Sequence, residues 1–306
     1  MEHQVTLPDG SVKGMGWLRD YPSIRDFTPE TEKDYERNQV TVPAPAKLLK
    51  KTDVPKAAKK PPAGPIDLRQ WCSPIEDQGA LGSCTAFAGV GMLEYFQRKA
   101  LAKHIDASHR FVYKVTRKLG GFEGDSGAFL RTVMGAMTLF GAPPQQYWPY
   151  DVPNFDEEPP PFCYAFAQNF QALTYYRLDP PGTDPAGLLN QIKGHLASQL
   201  PSMFGFTCFE SLDSAADSGE IPYPKPNEDI VGGHAVVAVG YNNGKKIKQP
   251  AGGQTTGAFL IRNSWGKTWG MDGYGWLPYK YVEGHLADDW WVLLKQEWVD
   301  TDQFKT

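Results

Sequence analysis

The chain has 306 residues, of which 41% are hydrophobic and 22% charged, and its formal net charge is −4. These values are typical of a globular protein with one large core or two smaller ones. The net negative charge argues against nucleic acid as the main partner, and no apolar run is long enough to span a bilayer. Four cysteines in so long a chain are too few for a disulfide scaffold.

The first 38 residues show neither a helical nor a strand period, and they begin without the apolar core of a signal peptide. We therefore expect a cytoplasmic protein by default, or one exported by a route that the sequence does not reveal. Trp17, Tyr21 and Phe27 lie in a turn-rich context, so we predict an N-terminal segment that covers another surface through its aromatic side chains.

Residues 39–65 hold six lysines and six prolines. Proline fixes φ and removes hydrogen-bond donors, and like charges repel, so we predict an extended linker. A patch that binds nucleic acid or a membrane is the alternative, and a solvated linker is the stronger interpretation. We place the main domain after it, at 66–306.

The stretch Gln78–Ala88 predicts a glycine-broken loop that runs into a helix. Gly79 and Gly82 allow unusual backbone angles, and Ser83 is a candidate N-cap. The helix is apolar or small on nearly every side, which indicates burial. Cys84 would lie in its first turn, where the helix dipole and unpaired N–H groups lower the pKa of a thiol.

Further elements follow in an order of helices first and strands later, which is typical of an α+β fold. We predict helices at 107–119, 127–141 and 186–199. Strands are predicted at 173–178, 202–207, 235–241, 258–263, 274–277 and 290–294. We expect a helical lobe at about 66–170, a barrel-like β lobe at about 171–306, and an active site in the cleft between them.

Two later motifs complete a pattern that starts at Cys84. His234 leads into the β-rich run 235–241, and a strand ends at Asn263-Ser264-Trp265-Gly266. A cysteine at a helix start, followed by a distant histidine and asparagine, resembles the papain-like cysteine peptidases. The resemblance extends from about residue 66 to the C-terminus.

The resemblance implies a role for each matching residue. Cys84 would be the nucleophile, and His234 would hold it as a thiolate and later protonate the leaving amine. Asn263 would orient the imidazole, with Trp265 shielding that hydrogen bond from water. The side chain of Gln78 and the main-chain N–H of Cys84 would form the oxyanion hole.

The resemblance also suggests substrate-binding residues and shows two departures from the family pattern. Ser126 and Gly127 are the nearest match to the loop that presents main chain to the substrate, although their spacing is one residue off, and Ala235 is a further candidate. Leu81 stands where the family usually has a disulfide-forming cysteine. Thr85 stands where tryptophan commonly follows the nucleophile.

We therefore expect an endopeptidase that is made as a precursor and kept latent by residues 1–38. A thiol acyl-transferase or isopeptidase on the same triad and a catalytically silent peptide-binding protein remain alternatives. We expect peptide or protein substrates, the N-terminal segment as an internal inhibitor, and no nucleic acid or membrane partner. We also expect no metal, no cofactor and a monomer, although the sequence does not determine the oligomeric state.

Overall fold

The computed structural model describes residues 4–23, 60–102, 104–250 and 252–298, together with 26, 28 and 58. Most of the predicted linker 39–65, and Phe27 of the predicted aromatic segment, lie outside these residues. The linker and the proposed domain boundaries therefore stay predictions.

The helices agree with the sequence pattern in position and number except for two short ones. We label them α1 (Cys84–Leu101), α2 (His109–Gly120), α3 (Leu130–Leu139), α4 (Pro161–Ala167), α5 (Pro185–Ala197) and α6 (Lys280–Glu283). Sequence reasoning missed α4 and α6, because a helix of two turns or fewer carries too short a period to recognise. The first three helices pack against one another and form the helical lobe.

The strands form one small and one large antiparallel sheet. They are β1 (Gln4–Thr6), β2 (Val12–Gly14), β3 (Ile66–Asp67), β4 (Phe170–Arg177), β5 (Ser202–Phe209), β6 (Ile230–Lys248), β7 (Gln254–Arg262), β8 (Tyr274–Pro278) and β9 (Ala287–Trp298). The large sheet has the order β4-β9-β5-β6-β7-β8, with β3 added on β6. The described strands thus form an open sheet and not a closed barrel.

The two lobes share one buried core along α1. This helix is buried over nearly its whole length and packs on β6 of the large sheet as well as on α2 and α3. The α+β, two-lobed architecture expected from the sequence is therefore confirmed. Because α1 is enclosed by both lobes, its N-terminus lies where the helical lobe meets the sheet.

The N-terminal segment differs from its prediction. Residues expected to lack any strand form the hairpin β1–β2, paired from Gln4↔Gly14 to Thr6↔Val12. The strands are too short for a visible period of two. Beyond the hairpin, the chain contacts both lobes: Trp17 N–H donates to the Gly233 carbonyl at 3.1 Å, and Leu18 N–H donates to the Ala128 carbonyl at 3.1 Å.

Candidate active site

Cys84 is the first residue of α1, as the sequence predicted, and it is fully buried. Gly79 in the preceding loop has φ +59°, which glycine adopts without strain. Ser83 is not the expected side-chain cap. Its hydroxyl instead forms a hydrogen bond of 2.8 Å with the phenol oxygen of Tyr150, and that phenol donates to the Gln78 carbonyl at 2.8 Å. Tyr150 thereby joins both ends of the loop that leads to the thiol.

The Cys84 sulfur lies against main chain of the N-terminal segment. The Gly16 N–H donates to Sγ with a nitrogen–sulfur distance of 3.3 Å. Burial raises the pKa of the thiol to about 11, although backbone hydrogen bonds from Gly16, Ala235 and Thr85 oppose that rise. In this closed arrangement Cys84 is a neutral thiol at physiological pH.

His234 and Asn263 meet as the sequence pattern predicts. His234 Nε2 lies 2.7 Å from Asn263 Oδ1, and the same oxygen accepts the Ser264 N–H at 2.8 Å. Since an amide oxygen can only accept, Nε2 must carry the proton. The other ring nitrogen, Nδ1, is buried and has no hydrogen-bond partner among the described residues. It therefore presents a lone pair that can accept a proton from a thiol.

The histidine is enclosed by aromatic rings. The Trp265 ring lies 4.5 Å from the His234 ring, centroid to centroid, and Phe206 lies edge-on at 5.9 Å. Burial lowers the pKa of His234 to about 4, and the hydrogen bond to Asn263 opposes that fall. In the closed chain, burial therefore disfavours the thiolate–imidazolium pair expected from the sequence, because both groups have lost the water that would stabilise their charges.

The side-chain amide of Gln78 is held in one orientation. Its Oε1 accepts the Ser264 hydroxyl at 2.6 Å, so its Nε2 faces the other way. That nitrogen donates to the Leu81 carbonyl at 2.7 Å and to the Gly14 carbonyl at 3.0 Å. A carbonyl oxygen of the N-terminal segment thus accepts a hydrogen bond from the Gln78 amide, which was predicted to donate to the oxyanion. Sequence reasoning missed the contributions of Ser264 and Gly14.

The structure brings the predicted substrate-binding residues to the same cleft. Ala235 main chain bonds the Cys84 sulfur. The Ser126 hydroxyl donates to the carbonyl of Gly127 at 3.0 Å, and Gly127 has φ +73°. The main chain that pairs with the N-terminal segment belongs to Ala128, one residue beyond the predicted pair, and its N–H donates to the Gly16 carbonyl at 2.8 Å.

Gly127 is required next to this pairing because a side chain would collide with the segment. An added Cβ at Gly127 would lie 2.4 Å from the Gly16 oxygen.

Ala128 carried no signal in the sequence, because any residue type can supply main-chain hydrogen bonds.

Comparison with known proteins identifies the family. The model of the papain family cysteine proteases matches residues 63–287, most of the chain. The chain belongs to the papain family of cysteine proteases. This papain-family peptidase is 36% identical over 234 residues to an uncharacterised peptidase C1-like protein of Acanthamoeba polyphaga mimivirus, covering 74% of this chain and 71% of that protein. It is 28% identical over 230 residues to cathepsin K of Gallus gallus, covering 72% and 60% of the two chains.

A solved structure resembles the peptidase over nearly its whole length. Xylellain, a cysteine protease from Xylella fastidiosa, superimposes with a TM-score of 0.68 at 29% identity, covering 94% of this chain and 97% of that chain. These relatives confirm the resemblance inferred from the sequence, and they confirm that the chain is a thiol-dependent hydrolase.

None of the helices in the described part of the chain is long and apolar enough to cross a membrane. Within the same residues, no group of three or more histidine, cysteine, aspartate or glutamate side chains could hold a metal ion.

Proposed function

We propose that this peptidase hydrolyses peptide bonds through Cys84 and is made as a latent precursor whose own N-terminal segment fills the cleft. The observation that carries the proposal is the contact between the Gly16 N–H and the Cys84 sulfur, 3.3 Å from nitrogen to sulfur. The nucleophile therefore faces a peptide of the same chain, where a substrate peptide would have to bind.

The catalytic roles follow from the contacts. Cys84 attacks the substrate carbonyl and forms an acyl-enzyme, while the free Nδ1 of His234 takes the thiol proton and later gives it to the leaving amine. Asn263 fixes the tautomer through the hydrogen bond at Nε2, and Trp265 keeps water from that bond. Gln78 Nε2 and the Cys84 N–H donate to the oxyanion.

The substrate-binding assignment rests on main-chain contacts. Gly127 and Ala128 offer an edge to which an extended peptide can add, as β-strand addition requires. We assign Ser126 to the turn that supports this edge, since its N–H bonds the Gly124 carbonyl at 3.0 Å and its hydroxyl is used locally. Ala235 would bind the substrate from the opposite lobe.

The geometry explains why the segment survives in front of a nucleophile. Attack on a peptide requires the sulfur to approach the face of the carbonyl carbon. Here the sulfur accepts the Gly16 N–H, so it lies toward the edge of that peptide plane and not over its face. The carbonyl held by Gln78 belongs to Gly14, two residues earlier, so no single peptide bond offers both its carbon to the sulfur and its oxygen to the oxyanion donor.

Several polar contacts outside the catalytic centre add to the free energy that is needed to release the segment. Lys13 Nζ lies 2.6 Å from Asp77 Oδ2, and Arg131 Nε lies 2.7 Å from Asp20 Oδ2. Arg19 pairs with Asp288. Of the predicted aromatic contacts, Trp17 is buried, whereas Tyr21 is 73% exposed. The ring of Tyr21 therefore does not anchor the segment, but its carbonyl accepts a hydrogen bond from Arg131 Nη2 at 2.9 Å.

Gly16 offers a direct test in the full-length chain. A Cβ at this position would lie 1.7 Å from the Gly82 carbonyl oxygen. The N-terminal segment of Gly16→Val protein therefore cannot bind in the cleft as the wild-type segment does. Gly64→Val is the matched control, because nothing lies within 4 Å of a Cβ there. We expect Gly16→Val to raise both peptide hydrolysis and labelling of Cys84 by a thiol-reactive peptide epoxide, with the control unchanged.

The same experiment separates the alternatives. Labelling of Cys84 without peptide hydrolysis, but with acyl transfer to an added amine, would identify an acyl-transferase. A Gly16→Val chain that folds, yet is neither labelled nor active, would contradict the peptidase assignment. Equal activity of the wild type and Gly16→Val would show that the segment does not inhibit.

A further inference from the structure

The side chain of Arg262 joins the end of β7 to the segment that leads to the nucleophile. Arg262 immediately precedes Asn263 and is only 7% exposed. Its Nη1 donates to the Ser73 carbonyl, and its Nη2 donates to the Ser73 hydroxyl at 3.0 Å and to the Pro74 carbonyl at 2.9 Å. A planar guanidinium can serve several acceptors in one fixed arrangement. The residue before Asn263 is therefore bound firmly to residues 73–74.

Helix α1 leaves room for this arginine. An added Cβ at Gly91 would lie 3.1 Å from Arg262 Nε, which is closer than an ordinary contact. Glycine weakens a helix interior relative to alanine, so its presence here is explained by the close approach of Arg262. Since α1 begins at Cys84, the guanidinium lies against the helix of the nucleophile about two turns beyond the sulfur.

The same helix supplies a buried carboxylate, Glu94, which is 1% exposed. Its Oε1 accepts the Ala107 N–H at 2.9 Å. Burial raises the pKa of Glu94, whereas the nearby His109 and a hydrogen bond from Ser73 oppose that rise. The Ser73 hydroxyl thus accepts from Arg262 and donates to Glu94, so it links the guanidinium to the carboxylate.

The segment bound by Arg262 ends at the predicted oxyanion donor. The main-chain N–H of Gln78 donates to the Ser264 carbonyl at 2.9 Å. The chain before Gln78 is therefore bonded at both ends to the chain around Asn263, through Arg262 at residues 73–74 and through Ser264 at Gln78. A shift of Arg262 would displace the orienting asparagine and the oxyanion donor together.

Resting on the proposed function, we propose that Arg262 and Glu94, joined through Ser73, are positioning residues that keep His234 in place to exchange a proton with Cys84. They act through the asparagine that orients the imidazole and not on the substrate. A displacement of about 1 Å in a catalytic group can lower the rate about 10²-fold. An imidazole beside the sulfur also lowers the pKa of a thiol, so its displacement should raise the pKa of Cys84 in the opened chain.

The first test measures this pKa and needs no peptidase activity. In the Gly16→Val background, Ser73→Ala and Arg262→Met are compared by the pH dependence of the rate at which iodoacetamide alkylates Cys84. We expect Arg262→Met to move the midpoint of the curve upward by about one pH unit or more, toward the ordinary value of about 8.5. Ser73→Ala should move it in the same direction by a smaller amount, because it removes only the hydroxyl link to Glu94.

Two matched variants separate positioning from a loss of stability. Arg110→Met removes another buried arginine, which lies on α2 and pairs with Glu157 at 2.8 Å. Ser202→Ala removes a buried hydroxyl on β5 that has no hydrogen-bond partner in the described part of the chain. Each should leave the alkylation midpoint unchanged, although Arg110→Met should lower the melting temperature. An unchanged midpoint in folded Ser73→Ala protein would overturn the proposal, whether or not Arg262→Met folds.

The second test uses peptide hydrolysis by the same proteins. We expect Arg262→Met to lower kcat by about 10²-fold with little change in KM, since His234 acts in the transition state. Glu94→Gln combined with Ser73→Ala should be no worse than Ser73→Ala alone, because the carboxylate acts through that hydroxyl. Unchanged kcat in folded Arg262→Met protein would overturn the proposal while the peptidase assignment stands. If the Gly16→Val parent hydrolyses no peptide, the proposed function fails, and the alkylation midpoints alone decide the positioning role.

Discussion

The N–H of Gly16 donates to the sulfur of Cys84 across 68 residues of sequence, with 3.3 Å between nitrogen and sulfur. This one contact places the N-terminal segment over the nucleophile and removes water from it. The neutral states of Cys84 and His234 in the closed chain follow from that loss of water, because burial raises the pKa of the thiol and lowers that of the imidazole.

Alkylation of Cys84 should depend on pH differently in the closed and opened chains. With the thiol pKa at about 11 in the closed chain, about one thiol in a thousand is ionised at pH 8. The iodoacetamide rate should therefore rise about tenfold for each pH unit between 7 and 10, without a plateau. In Gly16→Val protein, where solvent and the helix N-terminus stabilise the thiolate, the rate should level off near neutral pH. A plateau near neutral pH in the wild type would contradict the closed, neutral pair.

Substitutions in the triad should distinguish residues that take part in the reaction from a residue that only orients the imidazole. In the Gly16→Val background, Cys84→Ala and His234→Ala should each lower kcat by roughly 10⁴-fold or more. Asn263→Ala should lower it by roughly 10²-fold, because it removes only the bond that orients the ring. Asn154→Ala, which removes an exposed amide bonded to Asp151, is the matched control. Full activity of Cys84→Ala would exclude Cys84 as the nucleophile.

Ser264 should act on catalysis through the amide of Gln78. Its hydroxyl donates to Gln78 Oε1 at 2.6 Å, so Ser264→Ala frees the amide to rotate. We expect kcat in the Gly16→Val background to fall by about tenfold with little change in KM, since the oxyanion donor is needed in the transition state and not for substrate binding. Ser214→Ala removes an exposed hydroxyl that donates to the Ser211 carbonyl, and it should have no effect. A rise in KM at constant kcat would show that Ser264 supports binding instead.

Asp125 should replace the missing disulfide as the tie between the nucleophile loop and the substrate-binding loop. Its carboxylate accepts the Gly82 N–H at 3.0 Å and the Tyr113 phenol, and that phenol accepts the Gly127 N–H at 3.2 Å. Asp125→Ala should lower the free energy of unfolding by about 1–2 kcal/mol. It should also raise KM in the Gly16→Val background, measured beside Asp217→Ala, an exposed carboxylate.

Reductant supplies the complementary measurement. All four cysteines, including Cys72 and Cys163, are free thiols. Dithiothreitol should therefore leave the melting temperature of the wild type unchanged. A marked fall in the melting temperature on adding reductant would reveal a disulfide. It would contradict the prediction that Asp125, and not a disulfide, connects the nucleophile loop to the substrate-binding loop.

The sequence by itself determined the family, the order of the main helices and strands, and the positions of Cys84 at a helix start and of Asn263 just beyond a strand. His234 was expected to lead into a strand at 235–241, and it lies inside the longer β6 instead. The correct features are local, because a glycine-broken loop before an apolar helix and a polar residue after a strand can be recognised from a few neighbours. Gln78 was also found this way, through its spacing from Cys84. The family model and the fold of the relatives confirm the family and the α+β fold that these patterns predicted.

Only the tertiary structure decided which atoms of the N-terminal segment lie over these residues and which groups support them. Trp17 and Asp289 bond across 272 residues of sequence, and neither carries a local signal for the other. Ala128 binds through main chain, which has no side-chain signature. The charge states of Cys84 and His234 depend on burial by a segment that the sequence places far from both. Contacts between distant residues set solvation, and solvation decides here whether the thiol is ready to react.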